Sequence, residues 1–317
     1  MTDFLLRAMN NDLVYVKSNL DQLKLTDDRG KTVLHYAVMG SATDVVRFLL
    51  SNEPLVNQPD HYGETPLFDC ARKGKLELAK MLIHHFAQVN IQNRQGELPI
   101  HLASRKGNID LIKLLIENGS FTNKKADDER LPIHEAILGG QKDVIQFLLK
   151  EGKQSWLQID SSGNSLLHYA ARTSSLQVIK LLLDEGLNPN HLNAVFETPL
   201  FNAVRYGTLD TVKLLVSYDA YLDIYNRRYE CIIDLAKIHD KEDVGVYLDE
   251  YRMTPAYENL VKKQSLAIAV LNRDHGLLRT LVEKGEALTK DRLNLTALDY
   301  AKEYQITLCI NILRNLI

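Results

Sequence analysis

The chain has 317 residues, of which 45% are hydrophobic and 25% are charged, a composition typical of a folded protein with a large core. Its 38 basic and 41 acidic side chains give a net charge of −3, which argues against a general nucleic-acid binder. The three cysteines, Cys70, Cys231 and Cys309, form no CxxC pair, so a disulfide framework and a zinc knuckle are disfavoured and a reducing, cytoplasmic location is expected.

The first element in chain order is an N-terminal helix pair. Ala8 stands twelve residues before Leu20, and the same separation between a small residue and a leucine recurs along the chain. Residues 3–20 are therefore predicted to form two helices. We assign residues 1–25 to an N-terminal capping pair.

A hexamer then recurs nine times at a nearly constant step. Its copies read TVLHYA, TPLFDC, LPIHLA, LPIHEA, SLLHYA, TPLFNA, CIIDLA, QSLAIA and TALDYA, and they start at Thr32, Thr65, Leu98, Leu131, Ser165, Thr198, Cys231, Gln264 and Thr296. The first six starts differ by 33, 33, 33, 34 and 33 residues. A period of this length indicates a repeat architecture in which each unit packs against its neighbours.

The columns of these repeats follow the pattern of buried helix faces. The third residue of each hexamer is aliphatic, the sixth is small, and a leucine lies twelve residues after the sixth in all nine copies, from Leu49 to Leu313. Glycines such as Gly74 and Gly107 separate two apolar runs. Each repeat is therefore predicted to contain two short antiparallel helices joined by a tight turn.

The hexamers TPLF, LPIH and SLLH at this period, followed by ENG or DEG and then by VN or PN, resemble the ankyrin repeat. This resemblance implies an all-α ankyrin-repeat solenoid of stacked helix-turn-helix pairs with β-hairpin fingers. Residues 26–250 would hold seven repeats, which start near Asp27, Asp60, Asn93, Asp127, Asp160, Asn193 and Asn226.

Histidine recurs at the fourth place of the hexamer, as His35, His101, His134 and His168. Beside His101, the residues Glu97 and Ser104 raise the alternative of a hydrolytic site. The next repeat keeps the histidine without the serine, and periodic histidines are too far apart to share one metal or nucleophile. The resemblance implies instead that each imidazole hydrogen-bonds to hydroxyl and backbone groups and ties repeats together. We expect no enzyme, no cofactor and no metal.

A basic column marks the ends of several first helices. The seventh residue after the hexamer start is arginine in four repeats, and neighbouring basic and aromatic residues extend the column, which comprises Arg72, Lys73, Arg105, Lys106, Arg172, Arg205 and Tyr206. The resemblance implies docking of a partner along a concave groove, where this column would suit an acidic peptide or an acidic protein face. The alternative is charge placement at helix ends, with Glu64, Glu97 and Glu197 neutralising the arginines.

The fingertips carry varied side chains and form a second candidate contact surface. The candidates are His61, Tyr62, Arg94, Gln95, Asp127, Asp128, Arg227 and Arg228. The tryptophan Trp156 lies in KEGKQSWLQID, where one extra residue is present. It is either an anchor for a partner or a filler between repeats.

The C-terminal region, residues 251–317, is predicted to form two divergent repeats and a cap. No glycine turn precedes its first hexamer, and Thr254-Pro255 has the pattern of a helix start. We predict one long helix from Pro255 to Leu271 in place of a finger. The apolar last helix either covers itself in a monomer or mediates a dimer.

These features favour a non-catalytic scaffold that binds a protein partner of unknown identity through its groove and fingertips. The alternative within this class is a microbial effector or a regulator that masks a host or cellular protein. Nucleic-acid binding and catalysis are distant alternatives, and no small-molecule substrate is expected. The N-terminus lacks the pattern of a signal peptide, and no apolar run of about 18 residues predicts a membrane span.

Overall fold

The computed structural model describes residues 2–52, 55–150 and 155–316. The chain divides into two compact units, the first ending at Ser155 and the second beginning at Trp156. In both units short helices lie in pairs, and the described residues hold 21 α-helices and two 3-10 helices. None of these helices is long and apolar enough to cross a lipid bilayer. The all-α class predicted from the repeats is confirmed.

The first unit contains ten α-helices within its described part. They are α1 (Asp3–Met9), α2 (Leu13–Ser18), α3 (Val33–Gly40), α4 (Thr43–Ser51), α5 (Pro66–Lys73), α6 (Leu76–His84), α7 (Pro99–Lys106), α8 (Ile109–Glu117), α9 (Pro132–Leu138) and α10 (Lys142–Lys150). The first helices of successive pairs contact one another in the order α1, α3, α5, α7 and α9, and the second helices do so from α2 to α8. Each pair thus covers its apolar flanks with the neighbouring pairs.

The second unit contains eleven α-helices within its described part. They are α11 (Leu166–Ala171), α12 (Leu176–Asp184), α13 (Pro199–Tyr206), α14 (Leu209–Val216), α15 (Ile232–Ile238), α16 (Glu242–Arg252), α17 (Pro255–Lys263), α18 (Ser265–Leu271), α19 (His275–Glu283), α20 (Ala297–Glu303) and α21 (Thr307–Leu313). The first helices α11, α13 and α15 contact in order, and α18 and α20 form a further stacked pair.

Each hexamer start is the N-cap of a first helix. In four repeats proline follows at the first helical position, as Pro66, Pro99, Pro132 and Pro199. Its fixed φ suits the helix start, and its missing N–H group would have had no partner inside the helix. At the opposite end, Gly74 and Gly107 terminate α5 and α7 with φ of 68° and 79°, a left-handed conformation that glycine adopts without a steric penalty.

The predicted core columns are buried with one exception. The aliphatic third residue and the small sixth residue of every hexamer are at most 7% exposed. Small side chains at the sixth place let the first helices approach closely, and larger ones would push them apart. The leucine column is buried from Leu49 to Leu248 and again at Leu313. At Leu281 the prediction is wrong, because this side chain is half-buried and Leu278 takes the buried position on α19.

The fingers are tight turns closed by backbone hydrogen bonds. In the second finger, the N–H of Asp60 donates to the carbonyl of Glu64 over 2.9 Å, and Asp60 Oδ1 accepts the N–H groups of Tyr62 and Glu64. The fourth finger begins at Ala126, one residue before the predicted start. The predicted β-hairpins are very short: the described chain has isolated bridges at Thr26–Thr32 and Ile159–Ser165 and no longer strand.

The long helix predicted from Pro255 to Leu271 is divided into α17 and α18. Gln264 lies between them with φ of −110° and ψ of 20°, outside the helical region. Its side chain is 2% exposed, and its Nε2 donates to the carbonyl of Lys290 over 3.2 Å. The break separates α17 from α18, which stacks against α20 as a first helix does in the other repeats.

Within the second unit, the C-terminal helices bind to loops that lie far earlier in the chain. The N–H of Leu222 donates to Tyr257 Oη over 2.9 Å, and the N–H of Leu192 donates to Tyr304 Oη over 2.8 Å. Asn272 Nδ2 donates to the carbonyl of Asp223 over 2.6 Å. The last helices therefore pack against the loops that lead into two fingers.

Candidate functional site

Two of the four hexamer histidines, His35 and His168, connect neighbouring repeats. Nδ1 of His35 accepts the N–H of Thr32 over 3.1 Å, and its Nε2 lies 2.9 Å from the carbonyl oxygen of Glu64 in the next repeat. Because Nδ1 is an acceptor, Nε2 carries the proton and donates to that carbonyl. His168 makes the same pair of contacts with Ser165 and Glu197. Burial lowers the pKa of both imidazoles to about 4, so they are neutral at pH 7.

The Glu97, His101 and Ser104 group does not form a hydrolytic triad. His101 Nδ1 accepts the N–H of Leu98 over 3.0 Å, as the other hexamer histidines do. Glu97 instead contacts Asn93 and Arg105, over 2.9 and 3.3 Å. This arrangement supports a structural role for His101 in its hexamer.

The cysteines show no metal-binding geometry. Cys70 is buried at the small place of its hexamer, and burial raises the pKa of its thiol. Burial also raises the pKa of Cys231 and Cys309. Across the described ranges, no three His, Cys, Asp or Glu side chains are grouped as metal ligands would be.

In the first unit, the arginine column is held in ion pairs. Arg72 contacts Asp69 over 3.0 Å and also pairs with Glu64. Arg105 pairs with Glu97 and with Glu135, whose side chain is 1% exposed. The hydrogen bond from Arg105 to Glu135 raises the pKa of the guanidinium and outweighs the opposite effect of burial. Glu135 belongs to the next repeat, so this arginine joins two repeats as well as closing its own.

The second unit repeats this pairing at Arg205. Its Nη2 lies 2.7 Å from Glu197 Oε1 and its Nη1 lies 3.0 Å from Oε2, a bidentate arrangement. Burial would raise the pKa of Glu197, but the hydrogen bonds and charge of Arg205, with a hydrogen bond from Asn226, hold it below its ordinary value of 4.5. Arg172 differs, because its guanidinium carbon lies 4.9 Å from the centre of the Tyr206 ring.

The remaining column residues are freely accessible. Lys73 and Lys106 are exposed at the last residues of α5 and α7, and Tyr206 is 53% exposed at the end of α13. Three of the four arginines thus have structural partners. The exposed charge of the column comes mainly from Lys73 and Lys106 in the first unit and from Arg172 in the second.

The predicted fingertip residues lie on the tips of four turns and are exposed. They are His61, Tyr62, Arg94, Gln95, Asp127, Asp128, Arg227 and Arg228. In each pair the two residues occupy the second and third places of the turn, and we call these two places the fingertip. Backbone hydrogen bonds between successive fingers hold these turns in place. The N–H of Arg94 donates to the carbonyl of Tyr62 over 2.8 Å, and that of Arg227 donates to Val195 over 3.0 Å.

Trp156 is half-buried at the start of the second unit. It lines an open pocket of about 410 Å³ together with Leu187, Leu295 and the strongly exposed Leu157. Its role as an anchor stays a prediction.

The ring of Phe196, which was not predicted as a site residue, lies against the fingertip residue Arg227 and against Arg273, which was not predicted either. The guanidinium carbon of Arg227 lies 4.8 Å from the centre of the Phe196 ring, and that of Arg273 lies 3.4 Å from it. Phe196 takes the fourth place of its turn, and Gly63, Gly96 and Gly163 take the same place in other turns. This departure from the repeat pattern was visible in the sequence, but the approach of Arg273 was not.

A family model for ankyrin repeats matches the chain in three copies, at residues 4–93, 85–159 and 153–227. The chain belongs to the ankyrin repeat family. The crystal structure of the human ASB11 ankyrin repeat domain is similar, with a TM-score of 0.60 and 25% identity, and the match covers 69% of this chain and 98% of that one.

Two relatives are similar over shorter segments. A protein of fowlpox virus (strain NVSL) named for its ankyrin repeats is 46% identical over 50 residues, which are 16% of this chain and 36% of the viral protein. A Caenorhabditis elegans homologue of transient receptor potential cation channel subfamily A member 1 is 29% identical over 127 residues, 40% of this chain and 10% of that protein. The chain therefore spans about a third or less of these relatives.

Proposed function

We propose that the chain is a non-catalytic scaffold that binds a protein partner through its fingertips and the exposed ends of its first helices. The fingertips carry this proposal, because their side chains differ from finger to finger while hydrogen bonds fix the backbone that presents them. A rigid surface loses little conformational entropy when a partner binds. Lys73, Lys106, Arg172 and Tyr206 add exposed charge and aromatic surface beside the fingertips.

In this proposal Arg72, Arg105 and Arg205 have a secondary role. Their ion pairs with carboxylates of the repeats satisfy their charge and orient the exposed part of each guanidinium. A partner would contact them as part of an ion-pair cluster rather than as free positive charges. An acidic face would then find its strongest attraction elsewhere on the surface.

The test is affinity capture with the whole chain from a lysate of its source cell. We expect a recurrent protein partner that is lost when the fingertip residues Tyr62 and Arg94 are changed together to serine and glutamate. Lys80→Glu, on the second helix α6, is the matched control and should leave capture intact. Retention of every captured protein by the fingertip variant, with unchanged circular dichroism, would contradict the proposal.

A second proposal is that binding masks a host or cellular protein, as a regulator or a microbial effector would. The similarity to the fowlpox virus protein supports it. Masking requires that the captured partner can no longer bind its own usual ligand when this chain is present in excess. A partner that binds both at once would point to recruitment instead.

Nucleic-acid binding and catalysis remain the weaker proposals. Phosphate contacts would make binding fall steeply as salt rises. Capture of the same protein after nuclease treatment, with a weak dependence on salt, would separate the scaffold from a nucleic-acid binder.

A further inference from the structure

The finger around Phe196 departs from the repeat pattern in a way that points to a ligand. Phe196 and Tyr229 take the fourth place of their turns with φ of 64° and 59°, where four other fingers have glycine. Arg273 takes the turn between α18 and α19 with φ of 56°, at the place that Gly74 and Gly107 hold in other repeats. Large side chains are unfavourable in this left-handed conformation. Strain of this kind concentrates at functional sites.

At other turns of the described chain this backbone is taken by short polar residues, including Ser41, Asp240 and Asn294, and also by the larger residues Phe86, Glu129 and Gln305. Phe196, Tyr229 and Arg273 differ from these residues because all three line one pocket. This Phe196 pocket is open, has a volume of about 470 Å³ and is lined by Phe196, Tyr225, Asn226, Arg227, Tyr229, Leu271, Asn272, Arg273 and Asp274.

The positive charge of the pocket is not compensated by carboxylates. Neither Arg227 nor Arg273 has an ion-pair partner in the described part of the chain, and both guanidinium groups lie against the Phe196 ring. Burial, and next the charge of Arg227, lower the pKa of Arg273. The acidic residue on the pocket wall is Asp274, whose Oδ1 accepts the N–H of Leu277 over 2.8 Å as the cap of α19. An incoming carboxylate would relieve the repulsion between the two arginines.

The walls of the pocket are preformed. The N–H of Tyr225 donates to Asn272 Oδ1 over 2.9 Å, which ties the finger to the turn that carries Arg273. The ring of Tyr225 is 41% exposed and that of Tyr229 is 87% exposed, while Leu271 is buried behind them. The pocket therefore offers both charge and apolar surface to one ligand. A carboxylate side chain followed by an apolar one would use both.

We propose that the Phe196 pocket binds an acidic segment of the protein partner, with a carboxylate between Arg227 and Arg273 and an apolar side chain against Tyr225 and Tyr229. This inference rests on the proposed scaffold function and names the site and the chemistry of its partner. A protein segment fits better than nucleic acid, because a few arginines in an otherwise acidic chain cannot follow a phosphate backbone.

The test measures binding of a fluorescein-labelled peptide of repeated Glu-Glu-Leu triplets to the whole chain by fluorescence anisotropy. A peptide of Gln-Gln-Leu triplets and an oligothymidylate serve as neutral and nucleic-acid probes. We expect Arg227→Gln and Arg273→Asn each to weaken binding of the acidic peptide about tenfold, the loss typical of one charged hydrogen bond. Asparagine at 273 suits the left-handed backbone, so this variant should keep its fold.

The matched control is Arg47→Gln, because Arg47 is an exposed arginine on the second helix α4 rather than on a finger and the substitution removes the same charge. We expect it to change binding less than about twofold. Arg227→Lys keeps the charge but loses the planar guanidinium that lies against the Phe196 ring, so its affinity should fall between those of the wild type and Arg227→Gln. Phe196→Asn, which also suits its backbone, should weaken binding as the arginine variants do.

Three results would overturn the proposal: no binding of the acidic peptide, equal losses in Arg47→Gln and Arg227→Gln, or tighter binding of oligothymidylate. None of them bears on the scaffold function, which is decided separately by capture of a partner with the Tyr62 and Arg94 variant. Loss of capture there with no peptide binding at the Phe196 pocket would place the partner on the other fingers.

Discussion

The three ion-paired arginines of the first-helix column, Arg72, Arg105 and Arg205, and the arginines of the Phe196 pocket carry the same charge in opposite surroundings. Arg205 has both carboxylate oxygens of Glu197 within 3.0 Å. Arg273 instead lies 3.4 Å from the centre of an aromatic ring and forms no ion pair with a carboxylate of the described residues. The first arrangement satisfies the charge within the fold. The second leaves it available to a ligand.

This difference separates structural charge from recognition charge in a repeat protein. The column is periodic, because Glu64, Glu97 and Glu197 each precede their arginine by eight residues. A periodic pair belongs to the module and stabilises it wherever it recurs. The pocket is not periodic, since it needs Phe196 and Tyr229 from two fingers and Arg273 from a turn of the C-terminal helices. A feature that occurs once is better suited to a specific partner.

The largest expected effect on stability comes from removing a buried carboxylate that pairs with the arginine column. Glu135 is 1% exposed and pairs with Arg105 and with Arg130, the latter over 3.2 Å. Replacing it by glutamine removes the buried carboxylate that two partly buried guanidinium groups share and leaves them only Glu97 and Asp128, so Glu135→Gln should lower the free energy of unfolding by about 2 kcal/mol. Urea unfolding followed by circular dichroism measures this.

The pocket gives the opposite expectation for the same experiment. Arg273→Asn removes a charge that no carboxylate balances and places a residue suited to the left-handed backbone, so its stability should stay within about 0.5 kcal/mol of the wild type. Asp127→Asn, at an exposed fingertip in the first unit, is the control for Glu135→Gln. A loss at Arg273 as large as the loss at Glu135 would remove the distinction between the two kinds of arginine.

Much of this arrangement could be predicted from the sequence, because it repeats. The hexamers and the apolar runs after them predicted the two helices of each repeat, and the aliphatic and small columns predicted the core. The pairing of Arg72, Arg105 and Arg205 with carboxylates eight residues earlier was one of two interpretations. Local spacing was sufficient in these cases, since each contact lies within one repeat or between adjacent ones.

The C-terminal region could not be predicted in the same way. The break at Gln264 depends on a hydrogen bond to Lys290, and the pocket depends on the contact between Asn272 and Tyr225. These contacts join residues from different repeats, and no period predicts them. Phe196 and Tyr229 in place of glycine were the available signal, but a sequence does not show that both line one pocket with Arg273.

Acid should weaken the column pair in the second unit. The pKa of Glu197 in the folded chain lies below its ordinary value, so its contribution is fully present above about pH 4.5 and is lost as the pH falls through the folded pKa. Glu197→Gln should therefore be about 1 kcal/mol less stable than the wild type at pH 7 and equally stable in strong acid. The measurement is urea unfolding over a pH series.

The comparison variant for this series is Glu185→Gln, which removes an exposed carboxylate at the end of α12. Its difference from the wild type should stay small at every pH. A Glu197→Gln difference that persists unchanged in strong acid would mean that the side chain stabilises by packing rather than by its charge.

The smallest expected effect concerns the strain in the pocket. Tyr229 is 87% exposed and adopts a left-handed backbone, so Tyr229→Gly relieves a steric cost while increasing the entropy of the unfolded chain. The two effects partly cancel and should leave the variant about 0.5 kcal/mol more stable than the wild type.

Val195→Gly, at an exposed fingertip whose φ is not in the left-handed region, should instead be destabilising by a similar amount. If both glycine variants lose stability equally, Tyr229 is not strained in the folded chain, and strain no longer supports a binding role for the pocket. If Tyr229→Gly is more stable and binds the acidic peptide less well, the chain keeps a strained tyrosine at the cost of stability, as a recognition site would and a periodic column would not.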